Sequence, residues 1–138
     1  MRLTEEEYNA LIKGSSGSRV KKPKYRNRKA EYYDPVLKET ITFDSEKERN
    51  YYLILKDRER RGEIQKLERQ VSITIQPSFT DKNGKKIREI TYIADFIYYE
   101  YKDGKIHQHI IDVKGYKTEV YKLKKKLLAY KGYYIEEV

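Results

Sequence analysis

From Val71 to Ile75 the chain alternates apolar and polar residues, Val-Ser-Ile-Thr-Ile. Strand side chains point to opposite faces in turn, so this period of two predicts a half-buried strand, closed by Pro77. A longer extended stretch runs from Ile87 to Tyr116 and divides at Lys102-Asp103-Gly104-Lys105. Asp-Gly between two apolar runs is a hairpin signal, so these residues predict two neighbouring strands. The period lengthens to that of a helix from Ser45 to Arg61, where Tyr51, Tyr52, Ile54 and Leu55 form the apolar stripe and Gly62 stops the element. A second helix is predicted over Thr118 to Tyr130, with Val120, Leu123, Leu127 and Tyr130 as its buried stripe. Gly132 breaks it, and Tyr133-Tyr134-Ile135 predicts a last strand.

Two further regions precede this core. Tyr32 to Pro35 and Thr40 to Phe43 flank a turn and predict a short hairpin. Thr4-Glu5-Glu6-Glu7 opens a short helix with Tyr8, Leu11 and Ile12 on its apolar face, and Gly14 to Ser18 follows as a linker. Residues 1–39 thus read as a short helix, a linker and a basic arm, and residues 40–138 as the folded domain. Its order is helix, strand, strand, strand, helix, strand. That pattern predicts an α/β (α+β) fold, a mixed central sheet flanked by two helices.

Composition narrows the class. The 138 residues suit one domain with one core. The formal net charge is +9, which points to a polyanionic partner, most often nucleic acid. Mean hydropathy is low at −0.98. Even so, 15 tyrosines and the β-branched runs argue against a disordered chain. The absence of Cys excludes disulfides, thiolate catalysis and Cys-ligated zinc. No apolar run approaches the roughly 20 residues of a membrane span, and the N-terminus lacks a secretory apolar segment, so a soluble cytoplasmic protein is expected. Abundant Lys and Glu without Cys would also suit a heat-tolerant source.

The chemistry gathers in the hairpin. Asp95 lies in the first strand, expected on a face with Ile93 and Ile97, and Asp112 and Lys114 share a face near the end of the second. Two acids and a lysine in apolar strands are costly unless they pair or hold a metal. Phosphodiester hydrolysis requires a cation at the phosphate, and Mg²⁺ takes a few carboxylate oxygens while keeping several waters. Asp95 and Asp112 have the right donors, the Val113 carbonyl could add another, and Lys114 could act on the attacking water or the developing charge. Glu48 falls on the core-facing stripe of the first helix. Ser45-x-x-Glu48 is also a capping box, so a cap and a site role both remain open. His107 and His109 share the opposite face from Asp112, without a third ligand for zinc, and cross-strand packing or a surface position is expected.

Basic residues supply the second feature. Lys21, Lys22, Lys24, Arg26 and Arg28 form an arm suited to a phosphate backbone, or a solvated tail. Lys122, Lys125 and Lys126, with Lys124 beside them, could face the same phosphates, or simply solvent.

These stretches resemble the PD-(D/E)XK nuclease superfamily, and more narrowly a family of small phage and prophage proteins within it. The resemblance rests on Phe43 to Glu48, on Gly62-Glu63-Ile64 with Gln70, on Ile90 to Phe96, and on Asp112-Val113-Lys114-Gly115 with the helix that follows. It covers about Thr40 to Val138, and it departs from the pattern at Ala94, where a proline is common. It implies a restriction-endonuclease-like core in the order αβββαβ and a Mg²⁺- or Mn²⁺-dependent endonuclease. Asp95 would be the first acid, Asp112 and Lys114 the second motif, and Glu48 the first-helix glutamate, with Gln70 and Arg88 lining the site. DNA, branched or duplex, would be the substrate in recombination or genome processing, in the cytoplasm of a phage's bacterial host. A homodimer would suit cutting both strands. The rival readings are a basic nucleic-acid-binding module that does not cut, and an interaction protein in which the acids and Lys114 form a structural ion pair.

Overall fold

A computed structural model describes residues 29–113 and 117–138. The short N-terminal helix, the Gly-Ser linker and the basic arm up to Arg28 lie outside the described residues, as does Lys114.

The described chain opens with a hairpin, β1 (Ala30–Asp34) against β2 (Glu39–Phe43). Asp34 is buried there because its Oδ1 accepts the turn amides of Val36 and Leu37, at 2.8 and 3.1 Å. The first helix, α1 (Glu46–Arg60), begins where Ser45 Oγ accepts the Glu48 amide at 3.1 Å. That bond is one half of the capping box. Of its predicted stripe, Tyr52 and Leu55 are buried and Ile54 is exposed.

Strand β3 (Gln65–Gln76) is longer than the alternating run alone. The turn at Asp81 to Lys85 carries a small hairpin of its own, β4 (Phe79–Thr80) with β5 (Lys86–Ile87). Strands β6 (Ile90–Lys102) and β7 (Lys105–Asp112) pair antiparallel around Asp103-Gly104. Both turn residues have positive φ, 53° and 73°, which is the backbone that a two-residue hairpin matched to strand twist demands. Helix α2 (Glu119–Tyr130) starts from Thr118, whose Oγ1 accepts the Tyr121 amide at 3.0 Å. The last strand, β8 (Ile135–Glu137), begins two residues later than Tyr133.

Together β3, β6, β7 and β8 form a four-stranded sheet in that order, antiparallel except for the parallel β7–β8 pair. The fold is α+β, a mixed central sheet flanked by two helices, with its core elements in the order αβββαβ. Phe96 and Ile111 pack with Tyr52 and Leu55 of α1, and Ile97 and Ile110 pack with Tyr121 and Leu128 of α2. Adjacent residues of one strand thus serve opposite layers, as strand geometry requires.

Two expectations need correction. The stripe Val120, Leu123, Leu127 and Tyr130 is not buried: all four are exposed, and α2 rests on Tyr121 and Leu128 instead. A period of 3.6 locates a stripe but does not say which side the sheet covers. Nor does Asp95 share one regular face with its neighbours, since Ile93 is exposed and Ile97 buried. On β6, Tyr92 and Ala94 belong to the α2 layer, whereas Phe96 and Tyr98, at the same parity, belong to the α1 layer. On β3 the same change separates Arg69, which lies over Phe43, from Val71 and Ile73. The alternation therefore breaks at Gln70 and Asp95, which face each other. Gln70 has a left-handed φ of 50° inside a strand, a conformation worth about 1 kcal/mol or more of strain.

Candidate active site

The registers place the acids in one row. Val71 pairs with Ala94 and Arg69 with Phe96, so Gln70 lies opposite Asp95. Phe96 pairs with Ile111, so one step on Asp95 lies opposite Asp112, and Asp112 pairs with Glu137 on β8. Gln70, Asp95, Asp112 and Glu137 thus cross the whole sheet at the level where the strands kink. Glu48 approaches the Gln70 end of this row from the first turn of α1.

Each carboxylate is oriented by a protein donor. Gln70 Nε2 donates to Glu48 Oε1 at 3.2 Å and lies 3.5 Å from Asp95 Oδ1, so one amide bridges the two acids. The Val113 amide donates to Asp95 Oδ2 at 2.7 Å. Tyr92 donates its hydroxyl to Asp112 Oδ2, with both residues buried. The Val138 amide closes on the Asp112 carbonyl at 3.0 Å. At the far end Glu137 accepts from Tyr121 at 2.7 Å and pairs with Lys117 and Lys125 at 3.0 and 3.1 Å.

The electrostatics differ along the row. Glu48 is 4% exposed, and its carboxyl is pushed up to about 7, first by burial and then by the charges of Asp95 and Asp44, with Arg69 and Gln70 opposing. Glu137 is held down to about 2 by the Tyr121 hydroxyl and the lysines Lys117 and Lys125. Burial raises the Tyr92 and Tyr121 hydroxyls, and their hydrogen bonds to Asp112 and Glu137 raise them further, so both stay protonated as donors.

Asp95 and Asp112 open into a cleft of about 340 Å³ between β6 and the start of α2. Thr118, Tyr121 and Lys124 form its α2 wall, and Ile93 and Val120 its apolar lip. Sequence reasoning overlooked Tyr92 and Tyr121, and it set Lys124 only beside the lysine row that it expected to face phosphates. Tyr92 differs in parity from Asp95, so a strict period of two sends it to the other face. Only the kink brings it to Asp112.

The other expected residues are placed as follows. Gln70 joins Glu48 to Asp95. Arg88 is exposed on the link before β6 and does not line the cleft. Lys122 pairs with Glu119 at 3.2 Å, Lys125 pairs with Glu137, and Lys126 is exposed on α2. Lys21, Lys22, Lys24, Arg26 and Arg28 lie outside the described residues. His109 packs across the strands on Tyr98, ring centroids 4.8 Å apart, with a carboxylate at each ring nitrogen, Glu136 at 2.7 Å and Glu100 at 3.1 Å.

Among the described residues, no three His, Cys, Asp or Glu side chains converge into a ready-made metal cage. A closed zinc-type site is not what this donor set offers. An all-oxygen pair of carboxylates on an open cleft, with a third acid destabilised nearby, fits a hard cation that needs one or two carboxylates and keeps its waters, as Mg²⁺ does. Among the described residues no helix is long and apolar enough to cross a membrane.

An α+β domain with an acidic row at a strand kink is therefore the class of protein that fold and site define. The chain belongs to the family described as Protein of unknown function (DUF1064), which matches residues 22–137 and so takes in the sheet, both helices and the whole acidic row. No curated protein and no solved structure matches it.

Proposed function

We propose that this chain is a metal-dependent DNA endonuclease of phage origin. It hydrolyses phosphodiester bonds in branched or duplex DNA during recombination or genome processing, within the bacterial host cell. The observation that carries the reading is that Asp95 and Asp112 line one open cleft, with the buried, perturbed Glu48 joined to Asp95 behind it through Gln70. Perturbed carboxyls of this kind cluster where charge is to be handled.

Asp95 and Asp112 would hold Mg²⁺ or Mn²⁺, with the Val113 carbonyl and Glu48 as further oxygen donors. The bound cation supplies Lewis acidity and neutralises phosphate charge. The chain's own residues do the rest. The Val113 amide and the Tyr92 hydroxyl fix the orientation of the two aspartates. Gln70 donates to both Glu48 and Asp95 and so ties the two carboxylates to one amide. Glu48, near neutrality in its titration, is suited to take a proton from water or to position it. Lys114, two residues beyond Asp112, would orient the water or stabilise charge on the phosphate. The basic arm from Lys21 to Arg28 and the α2 lysines Lys122, Lys125 and Lys126 would hold the phosphate backbone. A homodimer would place two such clefts on one duplex.

The test is cleavage of supercoiled plasmid, linear duplex, single strand, flap and four-way junction, with and without Mg²⁺ or Mn²⁺, beside Asp112→Ala. Metal-dependent cutting lost in the variant is expected. Tight, salt-sensitive binding to every substrate without cutting would replace this reading with a nucleic-acid-binding module.

A further inference from the structure

Among the described residues that line the cleft, Asp95 and Asp112 are the acids and Lys124 is the one base. A phosphodiester is itself an anion, so two carboxylates repel it unless positive charge faces them. A bound cation would supply part of that charge, at the carboxylates. The opposite wall is α2, and Lys124 is the residue there that can supply the rest.

Helix geometry decides which α2 lysine reaches the cleft. Thr118, Tyr121 and Lys124 follow one another at intervals of three, so they share one side of the helix. Tyr121 is the buried member, seated on the sheet. Helical side chains lean towards the helix N-terminus, which carries the Lys124 stem along Tyr121 towards Thr118. Lys124 is accordingly half-buried, whereas Lys122 and Lys126 are exposed. A step of two residues turns a helix by about 200°, so Lys122 and Lys126 stand on the far side from Lys124. Lys125, one step away, is held by Glu137 at 3.1 Å, which also holds Lys117 at 3.0 Å.

We propose that Lys124 seats the phosphate in the cleft: its ammonium holds a non-bridging oxygen of the phosphodiester from the α2 wall, opposite Asp95 and Asp112. Lys122 and Lys126 would meet only phosphates further along the backbone. The inference deepens the nuclease reading and rests on it for the nature of the ligand. The lip of the cleft suits the same seat. Ile93 and Val120 are 56% and 62% exposed there. A nucleotide lying over them would exclude water from the ammonium and strengthen its bond to the phosphate.

A ligand with a single phosphate isolates this contact, because lysines outside the cleft cannot reach it. Thymidine 5′-phosphate is titrated into the ¹⁵N-labelled full chain with Ca²⁺ present. The dissociation constant is read from the amide shifts of β6 and the start of α2, and the same spectra report whether each variant is folded. Lys124→Met keeps the stem and removes the charge, and it should weaken binding by about 10-fold or more. Lys124→Arg keeps the charge and should bind within a few fold of the parent chain. Lys105→Ala removes the same charge about 20 Å away along the β6–β7 hairpin and should bind as the parent does. On DNA, Lys124→Met should also lower the salt slope of binding by about one. Equal binding by Lys124→Met and the parent would overturn the proposal. So would an equal loss in Lys105→Ala, or no binding of the nucleotide by the parent chain. Failure of the nuclease reading is a separate result: no DNA is cut in Mg²⁺ or Mn²⁺, while the nucleotide still binds and Lys124→Met still weakens it. The seat then stands, in a protein that holds phosphates without hydrolysing them.

Discussion

The two ends of the acidic row carry the same kind of residue in opposite electrostatic conditions. At the β8 end, Glu137 faces Lys117, Lys125 and the Tyr121 hydroxyl and is held down to about 2. At the α1 end, Glu48 is buried beside Asp95, and its carboxyl sits near 7. The first is a completed structural link between α2 and the last strand. The second disfavours its own charge, and it is linked through a strained Gln70 to Asp95, which lines the open cleft. A buried acid is thus no signal by itself. What marks the site is the acid whose burial, and then its acidic neighbours, oppose its ionisation.

The sharpest contrast is expected in activity. Asp95→Asn should reduce metal-dependent cleavage by about 10²–10³-fold, the range of losses seen when a principal electrostatic group is removed. Glu137→Gln should stay within a few fold of the parent chain, since that residue is occupied with lysines. Equal losses in single-turnover cleavage would erase the distinction between the ends.

In stability the two ends should respond to pH with opposite sign. Glu48 has a folded pKa above its unfolded one, so the folded state binds the extra proton between them. Its contribution is fully present below about 4.5 and is lost as pH rises through about 7. Glu48→Gln should therefore stabilise the metal-free protein by about 1–3 kcal/mol above neutrality, with the gain vanishing near pH 4. Urea unfolding across that range measures it, and a loss at pH 8 would refute the crowding. Divalent cation should shrink the gain by stabilising the parent chain.

Tyr92→Phe removes the donor to buried Asp112 without changing the shape of the core. A loss of about 1–2 kcal/mol is expected, together with weaker Mn²⁺ binding by calorimetry. Unchanged Mn²⁺ affinity would reduce Tyr92 to a packing residue. The smallest effect belongs to Glu137. Its folded pKa is depressed, so its stabilisation is present above about 4.5 and lost as pH falls towards 2. Glu137→Gln should cost on the order of 1 kcal/mol at pH 7, after allowing for solvent screening, and nothing measurable near pH 2.

Much of this was legible in advance. Asp103-Gly104 determines its own hairpin because few residue pairs accept positive φ in succession, and Ser45 and Thr118 start their helices through bonds that span three residues. The order of elements follows from local period, and Asp95 and Asp112 stand out because charge in an apolar strand needs an explanation. Glu48 was ambiguous for a physical reason: the cap and the site use different atoms. Its amide bonds to Ser45 while its carboxylate turns to Gln70.

Tertiary structure alone decided the rest. The kink at Gln70 and Asp95 depends on two strands distorting together, and it carries Tyr92 to Asp112 against the period of two. The pairing of Glu137 with Lys117 and Lys125 joins residues brought together by a parallel strand after α2. The direction of the α2 stripe was equally out of reach. Periodicity records which residues share a side of a helix, a local property of the backbone. The side that meets the sheet is set by all the elements packing at once, and there Tyr121 and Leu128 displaced the more apolar row.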